Sequence, residues 1–145
     1  MFDQTIGINK YFKMEFSFYG HSCFSVVVNE KKLLFDPFIT GNELAVGIDI
    51  NCIDADYILL SHGHFDHLAD AEKKKKRTGA TIIANYEIAM WYAAKGIKKY
   101  HPMNTGGKWT FDFGTVKCVN TIHSSSLRDG SNGGSPMGFI IINDD

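Results

Sequence analysis

The 145-residue chain lacks any apolar run near the ~20 residues that span a bilayer, so no membrane-crossing helix is expected. Its first residues, MFDQTIGINKYF, have no basic start followed by an apolar core, so no secretory signal is read there. Cysteine is scarce. Cys23, Cys52 and Cys118 are odd in number, scattered and without a CxxC pair, which excludes a disulfide framework and suits a reducing, cytoplasmic setting. Neither sign of charge dominates: 15 Lys and Arg face 16 Asp and Glu, for a net charge of -1. A protein that holds nucleic acid by bulk electrostatics would be strongly basic, so that class is disfavoured. There is no GxSxG elbow and no phosphate-binding loop of the Walker type. The glycines between 130 and 134 lack the Lys-Ser/Thr that would make them one.

What is present is an ordinary globular balance, 44% hydrophobic and 21% charged, in a length that suits one domain. Residues 1–13 show no periodicity and read as an N-terminal extension; residues 14–145 read as one continuous domain. Alternation at Glu15–Tyr19 and β-branched residues at Cys23–Val28 predict strands, with a polar turn at 29–32 and a third strand at Leu33–Phe35, ended by Asp36-Pro37. Tyr57–Leu60 reads as a short buried strand. A helix is predicted from His67 to Arg77, a strand at Ala80–Ala84, and a helix from Glu87 to Lys95 closed by Gly96. Strands follow at Trp109–Phe113, Val116–Ile122 and Met137–Ile142. This order predicts an α/β layout, a mixed sheet with helices on one face.

The strongest chemical signal is His62-x-His64-x-Asp66-His67, at the end of an apolar strand. Imidazole and carboxylate are the donors that Zn, Mn and Fe take in hydrolytic sites. In an extended segment His62 and His64 project to the same side, and Asp66 and His67 follow as the chain bends into a helix. Half of the six histidines fall in this one loop, which makes a metal site the better reading than scattered structural histidines. His123, at the end of a strand and before Ser124-Ser125-Ser126, is the best distal ligand; alone it would be read as a strand-end histidine bonded to a carbonyl. His21, in Gly20-His21-Ser22, either lines the pocket and meets substrate or a proton, or is a turn residue without chemistry. Asp36 either orients a ligand histidine or caps its turn. His101 reads as structural, and the Lys73–Arg77 run as a solvated helix face. The cysteines read as small buried hydrophobes.

The signature His62-Gly63-His64-Phe65-Asp66-His67 resembles the HxHxDH motif of the metallo-β-lactamase superfamily. Tyr19-Gly20-His21-Ser22-Cys23-Phe24, Phe35-Asp36-Pro37-Phe38-Ile39, Ile58-Leu59-Leu60-Ser61-His62 and Thr121-Ile122-His123-Ser124-Ser125-Ser126 look like a bacterial family of metal-dependent hydrolases related to ascorbate-6-phosphate lactonases. The resemblance runs from about Met14 to the end. It implies the N-terminal half of an αββα sandwich. It implies one metal on His62, His64 and His123 and a second on Asp66 and His67, with up to two ions, zinc or else Mn, Fe or Ni. Asp66 would guide the attacking water. The implied activity is hydrolysis of a small-molecule ester, lactone or phosphodiester. The superfamily's bridging Asp and last His are not matched by any residue here, which leaves the second ion two ligands. The resemblance also implies an inner sheet face that is apolar and uncovered. That face would meet a missing C-terminal half, supplied as the rest of a fragmented chain or by a second polypeptide, or a second copy in a homodimer. A non-catalytic metal-binding half-domain, active only on complementation, is the alternative function. Neither nucleic acid nor membrane is expected as a partner.

Overall fold

The computed structural model describes residues 15–143, so the expected extension at 1–13 lies outside the described residues. Six strands form one sheet in chain order: β1 (Glu15–Gly20), β2 (Cys23–Val28), β3 (Lys31–Phe35), β4 (Tyr57–Leu59), β5 (Thr81–Ala84) and β6 (Tyr100–Pro102). The β1–β2 and β2–β3 pairings are antiparallel and the remaining three are parallel. The β2–β3 hairpin turns on Asn29 and Glu30, both at positive φ, the backbone that a two-residue hairpin loop requires. Three helices follow the parallel strands: α1 (Phe65–Leu68), α2 (Ala71–Thr78) and α3 (Tyr86–Ala94). A second, antiparallel sheet holds β7 (Lys108–Phe111), β8 (Gly114–Asn120) and β9 (Met137–Ile142).

Period-two alternation in the central strands explains the layering. Leu34, Ile58, Ile82 and Ala84 point to one face and pack with Leu68, Ala71, Ile88 and Tyr92 of the helices. Leu33, Phe35, Leu59 and Ile83 point to the other and pack with Phe113, Val116, Cys118 and Met137. Strands covered on both faces read as continuous apolar runs, as these do. Each fully buried Leu or Ile contributes about 1.5–3 kcal/mol.

The second sheet covers the face expected to lie bare only over the central strands: on β1, Phe16 and Phe18 pair with Val26 and Phe24 on the same side and stay 58% and 62% exposed. Also open is the outer side of that second sheet, where Ile140 and Ile142 are 46% and 41% exposed opposite Lys117 and Thr115. The reason is again alternation: Val116 and Cys118, with Phe139 and Ile141 across from them, spend the apolar side of β8 and β9 on the inner layer.

The predicted helix from 67 to 77 is broken at Ala69–Asp70. Asp70 turns its carboxylate to the N–H groups of Ile39 and Thr40, both at 2.8 Å, and to the Thr40 hydroxyl at 2.6 Å, while its own N–H donates to the Pro37 carbonyl. These long-range bonds replace the helical ladder at that point. The lysine run is also not simply a solvated face. Lys74 is fully buried and its ammonium donates to the carbonyls of Ile50 and Ile53. Arg77 donates to the Ile53 carbonyl and to Asp54 at 3.0 Å. Gly79, at φ 72°, closes α2 with its N–H on the Lys75 carbonyl. Strand β6 was not read from the sequence. It carries Pro102 on the sheet edge, where a missing N–H costs little. His101 packs against Trp109 and Phe111, in keeping with a structural role, and burial lowers its pKa. Among the described residues all three cysteines are free thiols, Cys23 and Cys118 buried and Cys52 exposed, and no helix is long and apolar enough to cross a membrane.

Candidate metal centre

The ligand loop leaves the sheet where β4 ends. Leu60 still donates to the Ile83 carbonyl, so the chain is extended as it reaches His62. His62 and His64 then face each other, with Nε2 of the first 3.0 Å from Nδ1 of the second. The chain enters α1 directly after His64, which places Asp66 and His67 one turn on.

His123 arrives from the other sheet, just past β8. The loop after it is held against the ligand turn by the Met137 N–H on the Ser61 carbonyl, 3.0 Å, and the Gly63 N–H on Ser125 Oγ, 3.0 Å. Both backbones must come close: a Cβ on Gly63 would stand 3.1 Å from Gly133 Cα. Asn85 completes the clamp. Its side-chain oxygen caps α3 at the Ile88 N–H, and its amide donates to the carbonyls of Gly133 and Ser135. The His123 ring ends 4.8 Å from that of His62 and 5.0 Å from that of His64. One donor atom from each of His62, His64 and His123 lies within 4.8 Å of the others.

A second trio adjoins the first. His21, Asp66 and His67 also bring donor atoms within 4.8 Å of one another. Nε2 of His21 is 3.1 Å from Asp66 Oδ2, and Nε2 of His67 is 4.0 Å from the same oxygen. The rings of His62 and His67 are 4.0 Å apart, so the trios share a wall.

Asp36 ties the ligand residues to the sheet. It sits past β3 at φ 41°, a left-handed backbone that aspartate tolerates, and is buried. Its carboxylate accepts from the Ser61 N–H at 2.8 Å, the Ser61 hydroxyl at 2.6 Å and His67 Nδ1 at 2.9 Å. Since Ser61 spends its only hydroxyl proton on Asp36, the 3.0 Å contact of Ser61 Oγ with His62 must carry a proton on His62 Nδ1. The Nε2 lone pair of His62 then faces the cluster. The bond to Asp36 orients His67 in the same way. Burial, and next the neighbouring His67, push the His62 pKa down to about 4, so the ring is neutral at pH 7. A neutral imidazole is the form that binds a metal.

Every site residue expected from the sequence is thus in this region: His62, His64 and His123 in one trio, His21, Asp66 and His67 in the other, with Asp36 beneath. Ser61 and Asn85 were not read as contributors. Asn85 precedes a helix and carries the ordinary N-cap signal, but its second bond, to a loop 48 residues on, has no local trace. The donor set fits a divalent transition ion: three imidazoles with room for a further ligand is the composition of a catalytic zinc site. An open cleft of about 460 Å³ lies beside it, lined by His64, Phe65, Asp66, Ser126, Leu127 and Arg128.

The sequence profile of the metallo-β-lactamase superfamily matches residues 17–131. The chain belongs to that superfamily. Among its metallo-β-lactamase relatives, a protein of Flavobacterium johnsoniae named as a metal-dependent hydrolase is 55% identical over 128 residues, covering 88% of this chain and 56% of the relative. One of the same name from Methylacidiphilum infernorum is 48% identical, over 88% of this chain and 57% of the relative. A metallo hydrolase from the archaeon Ignicoccus hospitalis has a similar structure, with a TM-score of 0.78 and 30% identity, over 90% of this chain and 56% of that one. The chain spans a little over half the length of these metallo-β-lactamase relatives.

Proposed function

We propose that the chain carries the metal-binding half of a hydrolase that cleaves a small-molecule ester, lactone or phosphodiester. The observation that carries this reading is the convergence of His62, His64 and His123 from two sheets, with donor atoms within 4.8 Å. These three would hold one divalent ion; zinc suits the set, and Mn, Fe or Ni also accept it. Asp66 and His67 would hold or orient a second. An ion so held lowers the pKa of water towards neutrality and polarises the scissile carbonyl or phosphoryl group.

The chain's own residues prepare for this. Asp36 and Ser61 fix the proton on His62 Nδ1 and turn its Nε2 to the cluster. Asp66 is half-exposed at the cleft, where its carboxylate can accept a proton from, and aim, an attacking water. Phe65 and Arg128, the guanidinium 4.8 Å from the ring centre, line the cleft together.

The test is turnover of bis(p-nitrophenyl) phosphate, p-nitrophenyl acetate and a simple lactone. Hydrolysis should stop on chelation, return with Zn or Mn, and be lost in the His62→Ala, His64→Ala double variant. Turnover that survives that variant sinks the reading. The exposed Ile140 and Ile142 favour a second reading, a half-domain that works only when another polypeptide covers β8 and β9. In that case turnover appears only on adding the covering chain.

A further inference from the structure

We propose that His21 is a metal ligand and completes a second cation site with Asp66 and His67. The proposal rests on the hydrolase reading above but concerns a residue outside the ligand set that the family resemblance implies. That set places the second ion on Asp66 and His67. The fold supplies a third ligand from the turn between β1 and β2.

Three observations point the same way. First, the three donor atoms cluster within 4.8 Å, from two segments more than 40 residues apart, with His21 Nε2 at 3.1 Å from Asp66 Oδ2. Second, Nδ1 of His67 donates to Asp36 at 2.9 Å, which turns the ring so that Nε2 faces the other two, 4.0 Å from Asp66 Oδ2. Third, His21 holds a strained backbone, φ 55°, next to Gly20 at φ 99°. A bulky residue in the left-handed region costs of order 1 kcal/mol or more, and such strain collects where a side chain must be aimed. A turn with no further duty would be easier with Gly or Asn. The ring is also held from outside: Phe38 meets it edge-on at 5.7 Å and the His67 ring at 5.1 Å. The trio is two imidazoles and one carboxylate with open positions left over, a donor set that zinc and iron take in catalytic centres. Because the His62 and His67 rings are neighbours, the two cations would share one pocket.

The experiment is a count of bound metal. Metal-stripped chain is dialysed against Zn²⁺, and metal per chain is read by elemental mass spectrometry, with a Co²⁺ titration followed by visible absorption. The wild type is expected to hold about two ions, as three-ligand sites of this kind each hold one. His21→Asn should hold one. Asparagine tolerates the left-handed turn and can still hydrogen-bond Asp66, so the turn and its contact survive while the ligand does not. His64→Ala should lose the other ion and keep this one. In case Asn disturbs the turn, His21→Gly with added imidazole provides a second check: free imidazole should restore the second ion, which a merely structural role would not allow. Two ions retained in His21→Asn would overturn the proposal, as would no rescue by imidazole. A single wild-type ion that survives His21→Asn and leaves in His64→Ala overturns the proposal but keeps the hydrolase reading. A single ion with the opposite behaviour keeps the proposal and sinks that reading, and no ion at all sinks both.

Discussion

Ser61 Oγ accepts from His62 while its own proton is committed to Asp36, so one hydroxyl decides which nitrogen of His62 is available. Replacing Ser61 with Ala leaves the Nδ1 proton without its partner and frees the ring to turn. Zinc affinity of the chain should fall about 10–100-fold, as when such supporting bonds are removed elsewhere, with little change in secondary structure. Calorimetric titration of Ser61→Ala against wild type checks this. His62 also makes a pH prediction. Its folded pKa, about 4, lies below the ordinary value of 6.5. Between these values the unfolded chain binds a proton that the folded chain refuses, so stability rises with pH across that window. In metal-free protein this contribution is complete above about pH 6.5 and is lost as pH falls to about 4, a change of roughly 2–3 kcal/mol. Urea unfolding at a series of pH values should show the drop in wild type and a flatter profile in His62→Ala. At this scale the HxHxDH residues were legible because their spacing alone puts four donors in one loop. Ser61 was not, because its importance lies in what stands on either side of it.

Helix α2 shows how an element can hide its purpose. A run of Lys and Arg looks solvated, yet Lys74 reaches inward to close the turn at 50–53. Lys74→Met would fill similar space but remove the ammonium from the Ile50 and Ile53 carbonyls, leaving them the Ile53 N–H and the Arg77 guanidinium as their other donors. A loss of about 1–3 kcal/mol is expected, the range for hydrogen bonds made by a charged group. Chemical denaturation measures it, and Lys73→Met, on the exposed side, should change stability by less than about 0.5 kcal/mol. Asn85 joins two elements by itself. Asn85→Ala removes the cap of α3, worth about 1 kcal/mol, and also releases the loop that carries His123 to the site. Both stability and metal affinity should fall, whereas a change confined to the cap would move stability alone. The break at Asp70 belongs here too. Helical periodicity could not foresee it, because the bonds that break the helix go to Ile39 and Thr40, thirty residues back.

For the molecule as a whole, two apolar surfaces stay open: Phe16 and Phe18 on the inner face of β1, and the outer face of β8 and β9. Exposed Ile140 and Ile142, paired across the ladder with Lys117 and Thr115, form an apolar strip where a further layer could sit. The chain is expected to self-associate through this strip in sedimentation experiments, and Ile140→Lys with Ile142→Lys should abolish that while shifting stability by less than about 0.5 kcal/mol. Unchanged self-association would place the contact elsewhere. The strands were legible because alternation and β-branched residues are local properties, and so were the ligand types, because their chemistry is written in four adjacent positions. The layer order was not: only the register of Val116 and Cys118 against Phe139 and Ile141 turned the apolar side of β8 and β9 onto Leu59 and Ile83, while Phe16 and Phe18 of β1, on the same sheet face, stay exposed. The amino-acid order by itself determined the donor set and the elements that carry it. The tertiary structure alone decided that His123 reaches His62 from another sheet and that His21 faces Asp66. Those meetings depend on chain segments far apart in sequence, and packing rather than local preference brings such segments together.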